Sequence, residues 1–319
     1  MLTSAKIPSD EPIRDFSVVD HAGELLVVCA DWTGRMWTWS VASGEWTPRP
    51  LPFAHAADPV MADYPDAENE FDRVAALSTG GSLLIAAGGD EQEPAAWNLE
   101  TGELLWRTPV TGAYLADVVA VDGGFVTAEQ NSEELRSWTP DGSVSLLGEP
   151  GYPYRLSFAR IAERSLLLVG GSGVTVFNAA TGTELESFDP DDARAWDVTA
   201  CPLGDRTAVY AVTDERKLWG WELGVDEDEA ELFEPVDVAD VDVDTVAVLP
   251  VGGRTMVVTG DEKALRLWNA ADGTAAGTID VPGQLTTTMD STVMDGKPVL
   301  VTAGRDGRLR IWDESDFPA

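Results

Sequence analysis

The sequence predicts an all-β fold, a seven-bladed β-propeller, on three observations. An aromatic residue recurs along the whole chain. An apolar opening residue precedes each aromatic at a nearly constant distance. The segments between them carry strand and turn signals and no sustained helical period.

The recurring aromatics are Trp39, Trp97, Trp138, Phe177, Trp221, Trp268 and Trp312, each followed by a small or polar residue. After a longer first interval they follow one another at roughly 40–45 residues, the length of one propeller blade. The opening residues Phe16, Val74, Val118, Leu156, Val198, Val246 and Met289 stand about 20–23 residues upstream of them. Within a unit, a glycine turn such as STGG, VDGG or PVGG follows the opening strand. An apolar run comes next (LLVVCA, LLLVGG, VLVTAG), then a strand that ends on the aromatic (GRMWTW, LRLW, LRIW). Near-continuous Val, Leu and Ile reads as strand buried on both faces, which blades stacked between neighbours require. A second turn (ASG, PDG, ADG) leads to a weaker fourth strand.

This register places the openings of the blades near residues 14, 72, 116, 154, 196, 244 and 287, within one propeller domain over 1–319. The last unit has room for only three strands. Residues 2–7 are positioned to supply the fourth and so close the ring, leaving no open sheet end.

The final unit, VLVTAGRDGRLRIWD, resembles a WD40 repeat and ends on the dipeptide Trp312-Asp313. LRLWNAADG and WNLETGELL are similar, and the resemblance spans essentially the whole chain. It implies a WD40-like propeller acting as a non-enzymatic scaffold, with a protein partner on the top face. There are departures. Only the last unit carries the Trp-Asp pair, and no unit carries the family's Gly-His pair. The only histidines are His21 and His55. The Ser/Thr-His-Asp-Trp network that braces such blades is therefore expected to be missing, with packing taking its place. A second fold stays open, because WNLETGELLW resembles the tryptophan-docking repeat of PQQ-type propellers.

Lys and Arg number 21 against 56 Asp and Glu, a formal net charge of −35. Such a surface repels nucleic-acid backbones and anionic membranes and steers a basic protein in. No stretch is apolar for long enough to span a bilayer and the first residues do not read as a secretory leader, so a cytoplasmic protein is expected. Cys29 and Cys201 lie in apolar strands of different blades and are expected as buried thiols. Neither cysteines nor histidines have metal-ligand spacing, and no nucleophile elbow, phosphate loop or dinucleotide fingerprint occurs. No catalytic residue, metal or cofactor is assigned, and the chain is expected as a monomer on its own. Two other readings stay open: an acidic inhibitor, immunity or chaperone-like protein masking a basic effector, and a hydrolase or lactonase using channel carboxylates.

Three regions are candidates for contact with a partner. The residue before each opening residue should ring the top of the central channel: Asp15, Arg73, Asp117, Arg155, Asp197, Thr245 and Thr288. Five of these alternate acid and base, with Tyr154 and Trp196 beside them, and they read either as ion pairs between blades or as a binding mouth. The second region is an insertion within residues 52–70, which carries His55 and Tyr64. The third, 224–244, holds ten acidic residues and no basic one, in the turn after a third strand.

Overall fold

The computed structural model describes residues 1–52, 71–89, 92–108, 114–129, 133–226, 229–238, 243–261, 263–281 and 285–317. Strand β1 (Thr3–Lys6) comes first. Blade 1 then holds β2 (Ile13–His21), β3 (Glu24–Asp31), β4 (Met36–Ser40) and β5 (Trp46–Pro48). Blade 2 holds β6 (Arg73–Thr79), β7 (Ser82–Gly89), β8 (Gln92–Asn98) and β9 (Leu104–Arg107). Blade 3 holds β10 (Leu115–Val121), β11 (Gly124–Glu129), β12 (Leu135–Trp138) and β13 (Val144–Gly148). Blade 4 holds β14 (Arg155–Ile161), β15 (Arg164–Gly170), β16 (Val174–Asn178) and β17 (Thr183–Phe188). Blade 5 holds β18 (Ala195–Leu203), β19 (Arg206–Thr213), β20 (Lys217–Glu222) and β21 (Val236–Asp237). Blade 6 holds β22 (Thr245–Val251), β23 (Arg254–Gly260), β24 (Ala264–Asn269) and β25 (Ala275–Asp280). Blade 7 holds β26 (Leu285–Met294), β27 (Lys297–Gly304) and β28 (Arg308–Asp313).

Each blade is a four-stranded antiparallel sheet, a simple meander in blades 1–6, and the fold is a seven-bladed β-propeller. β1 is the outer strand of blade 7, pairing with β28 from Thr3↔Ile311 to Lys6↔Arg308. The blades fall into two compact units. One holds blades 1–3 (Ile7–Pro153); the other holds blades 4–7 together with β1 (Met1–Lys6 and Tyr154–Ala319).

The core is a set of seams between successive blades. In the first unit, Val28, Ala30 and Met36 of blade 1 pack with Val74, Ile85 and Trp97 of blade 2. Ala75, Ala86 and Trp106 of blade 2 pack with Val118, Phe125 and Trp138 of blade 3. In the second unit, Leu168, Val176 and Phe188 meet Val198, Trp219 and Trp221, and Leu249, Val258 and Leu267 meet Met289, Leu300 and Trp312. All seven recurring aromatics are buried on third strands. The outer strand of one blade often supplies a lid for the next: Trp106 stacks on Trp138 at 4.3 Å, and Phe188 on Trp221 at 5.2 Å. Burying such side chains between sheets is the main apolar contribution to stability.

The bracing differs in part from expectation. In blades 3, 6 and 7 the indole N–H of the aromatic donates to a buried threonine of the second strand: Trp138 to Thr127 (2.9 Å), Trp268 to Thr259 (3.0 Å) and Trp312 to Thr302 (3.0 Å). The tryptophan–threonine half of the expected network is therefore present in three blades without any histidine. Register explains why it stops there. The same position is Cys29, Ala87, Val169 and Ala211 in blades 1, 2, 4 and 5. Trp39 accordingly has a buried Nε1 without a hydrogen-bond partner. In blades 3, 6 and 7 the residue two before the aromatic is an arginine paired with an acid of the preceding hairpin: Arg136 with Glu129 and Glu134, Arg266 with Asp261, and Arg310 with Asp306. In blade 1, Trp37 takes that place and its indole donates to Asp31 at 3.1 Å.

The acidic segment 224–244 contains the β20–β21 connection and is anchored by apolar residues. Ala230 is buried, and Phe233 stacks on Tyr210 with ring centroids 6.5 Å apart. A Cβ on Gly220 or Gly273 would lie 2.8 and 2.7 Å from the Phe233 ring, so both positions require glycine. Gly273 also needs its positive φ of +66°. Most of the insertion 52–70, with His55 and Tyr64, lies outside the described residues.

Candidate functional site

The top face is the one at which the first strand of each blade begins. Three of these strands start with a one-residue bulge, and β26 has a larger irregularity between Leu285 and Met289. One residue lacks a cross-strand partner between Ile13 and Asp15, between Leu115 and Asp117, and between Ala195 and Asp197. The extra residues are Arg14, Ala116 and Trp196. A bulge re-aims the side chain it carries. All three bulges fall immediately before an aspartate, in blades 1, 3 and 5, whereas β6 and β14 begin unbulged with Arg73 and Arg155.

The aspartates turn inward and tie blades together. In the first unit, Asp15 of blade 1 is buried and accepts from the backbone N–H of Val74 in blade 2 at 2.9 Å. Arg73 points its Nε at Asp117 of blade 3 (3.6 Å) and also donates to the carbonyl of Ala116 (3.3 Å). In the second unit the device repeats. Asp197 of blade 5 accepts from the Val246 N–H of blade 6 (2.8 Å), from the Thr245 hydroxyl (3.0 Å) and from the Val198 N–H (3.0 Å). Arg155 of blade 4 lies 3.5 Å from Asp197 and donates at 3.5 Å to the Thr288 hydroxyl of blade 7. Burial pushes the Asp197 carboxyl above the ordinary carboxylate range. Arg155 and the three donors pull against that shift without cancelling it.

Two of the bulged residues, Arg14 and Trp196, turn outward instead, while Ala116 is buried. Trp196 is 38% exposed and meets the Tyr154 ring at 5.5 Å, with the Arg194 guanidinium 6.0 Å from the same ring. Tyr152 beside them is more exposed still. In the first unit, Arg14 lies over the ring of Trp32 at 4.3 Å and pairs with Asp72 at 2.7 Å. Trp32, in the β3–β4 turn, is 59% exposed. Each unit thus presents its own aromatic–arginine patch on the top face. Sequence reasoning found Tyr154 and Trp196 by position. It missed Arg14, Trp32 and Tyr152, for which the only signal was an aromatic inside a polar turn, DWTG and PGYPY.

On the opposite face, His21 has a defined place. Its Nδ1 lies 3.1 Å from Ser78 Oγ and its Nε2 3.6 Å from Glu100, so it links blade 1 to blade 2. Among the described residues no group of three or more His, Cys, Asp or Glu side chains is placed to hold a metal ion. No helix among them is long and apolar enough to cross a membrane.

The chain superposes on the WD40 beta propeller domain of Doa1 with a TM-score of 0.67, over 100% of this chain and 98% of that one, at 13% sequence identity. The fold is that of a WD40 β-propeller. In all, 1548 chains of solved structures match, so the likeness speaks to architecture and not to a partner. No protein-family model and no curated protein matches the sequence. WD40 propellers commonly mediate protein–protein contacts. In this one Asp15, Asp117 and Asp197 are turned into the blade seams, and Trp32 and Trp196 outward.

Proposed function

We propose that the protein is a non-enzymatic interaction scaffold of the cytoplasm that docks a protein partner on its top face. The observation that carries the reading is Trp196, lifted out of β18 by a bulge, left exposed and set against the partly exposed Tyr154 ring. Trp, Tyr and Arg are the residue types that dominate binding energy at protein interfaces. Asp197 and Arg155 hold the strands that present this surface, and Asp15, Arg73 and Asp117 do the same for the Arg14–Trp32 patch of the other unit. The net charge of −35 supports a partner whose contacting face is basic.

A photo-crosslinking amino acid at position 196, in the native host, tests the proposal. The expected result is one dominant partner captured from position 196 and absent from an outer-strand control at Leu185. With that partner purified, Trp196→Ala with Tyr154→Ala should weaken binding by ~2–4 kcal/mol, and affinity should fall as salt rises. Equal capture from both positions, or unchanged affinity in the double variant, would refute it.

A further inference from the structure

Six of the seven outer strands carry a residue that discourages edge-to-edge pairing: Lys6 in β1, Pro48 in β5, Arg107 in β9, Glu184 and Glu186 in β17, Asp237 in β21 and Asp280 in β25. β13 has none, reading VSLLG. Its Val144 and Leu146 are 44% and 56% exposed, and Ser145 between them is exposed as well.

The hydrogen-bond phase of this strand can be worked out. Thr139 N–H donates to the Ser143 carbonyl at 3.0 Å, which marks that pair as hydrogen-bonded. Bonded and non-bonded pairs alternate in an antiparallel ladder. Ser145, opposite Ser137, therefore turns its backbone groups inward. Val144 and Leu146 turn theirs outward, and among the described residues no strand lies on that side of β13. Their side chains share one face. Exposed Asp141 and Glu149 flank the strand at its two ends.

We propose that the outer edge of β13 accepts an added β-strand from a protein partner, an extended apolar segment with a basic residue at each end. The flanking charges choose this occupant over a second copy of the chain. Antiparallel self-pairing centred on Ser145 would bring the turn that carries Asp141 of each copy up to the strand end that carries Glu149 of the other, placing like charges near one another at both ends. An incoming strand with Lys or Arg at those places turns both repulsions into attractions. This edge is separate from the top-face patches, and its test does not depend on them.

The probe is a peptide of the same length as Asp141–Glu149, Lys-Thr-Thr-Val-Thr-Val-Thr-Thr-Lys, compared with its twin carrying Glu at both ends. The readouts are the dissociation constant and amide hydrogen exchange along β13. The lysine peptide should slow exchange at Val144 and Leu146 and bind at least about tenfold more tightly than the glutamate peptide. Leu146→Pro removes an outward N–H from an edge position that tolerates proline, and should abolish binding. Asp141→Lys with Glu149→Lys should reverse the peptide preference, and this variant decides the matter should the proline variant not fold. Trp196→Ala should leave binding unchanged. Four results would each overturn the proposal: no slowing of exchange, equal binding of the two peptides, no reversal in the double-lysine variant, or protection of β13 that grows with protein concentration alone.

Discussion

Replacing Asp197 by alanine removes the acceptor that joins blade 5 to blade 6. Three donors lose their partner: the Val198 N–H on its own strand, and the Thr245 hydroxyl and Val246 N–H of the next blade. Thr245 and Val246 are buried, at 1% and 3% exposure, so water cannot readily replace the carboxylate. Each buried donor left without a partner costs about 1–3 kcal/mol, which puts the two donors of blade 6 at about 2–6 kcal/mol. Part of this is offset, because the wild-type protein pays to bury a carboxylate whose proton affinity is raised by its surroundings. A net loss of about 3 kcal/mol is expected for Asp197→Ala. Asp197→Asn keeps one acceptor oxygen and no charge to bury, and should cost about 1 kcal/mol. Urea unfolding followed by tryptophan fluorescence measures both, and amide exchange at Val246 reports the seam directly. A loss below about 0.5 kcal/mol for the alanine variant, with Val246 exchange unchanged, would refute the clasp. An asparagine variant as unstable as the alanine one would show that charge, and not the acceptor geometry, holds the blades.

The indole–threonine bonds give a matched pair of predictions. Thr302→Val leaves the Trp312 indole without an acceptor and should cost about 1–2 kcal/mol in urea unfolding, whereas Cys29→Thr offers the Trp39 indole one and should stabilise by about 0.5–1 kcal/mol; a destabilised Cys29→Thr would break the equivalence of the two positions. Deleting residues 2–7 exposes the edge of β28 and removes buried Ile7, and should lower the melting temperature by about 10 °C in a thermal scan; an unchanged temperature would mean that β1 contributes nothing to blade 7. Acid should destabilise through Asp31 and Asp261. Burial pushes both carboxyls up, but bonds from Thr33, the Arg35 N–H and Trp37 at one, and from Arg266 and the Lys263 and Ala264 N–H groups at the other, hold them below the ordinary range. Their contribution is complete above the unfolded carboxylate pKa of about 3.9 and is lost as pH falls through the lower folded values. Asp197 has the opposite sign, its raised folded pKa favouring the folded state more as pH falls. Unfolding midpoints should therefore drop steeply below about pH 4 and less so in Asp31→Asn; equal slopes in the two proteins would count against the assignment.

Repetition made the fold legible. Aromatic and apolar positions recur because every blade must bury the same two faces against its neighbours, so the seven-bladed fold and the strand that completes blade 7 could be read without coordinates. The alternation of Asp15, Arg73, Asp117, Arg155 and Asp197 was equally visible as a pattern. What each of these side chains bonds to was not. Whether Trp196 lies under the sheet or out in solvent depends on one bulge, and a single unpaired residue leaves no mark on a period of about two. The partners of Asp197 sit in the next blade at Thr245 and Val246. The unguarded edge of β13 became meaningful only once its ladder phase and exposure were known. Sequence determined which residues recur, because burial is a property of each residue type. The tertiary structure decided which residues meet, because the seams and the top face join positions that are far apart along the chain.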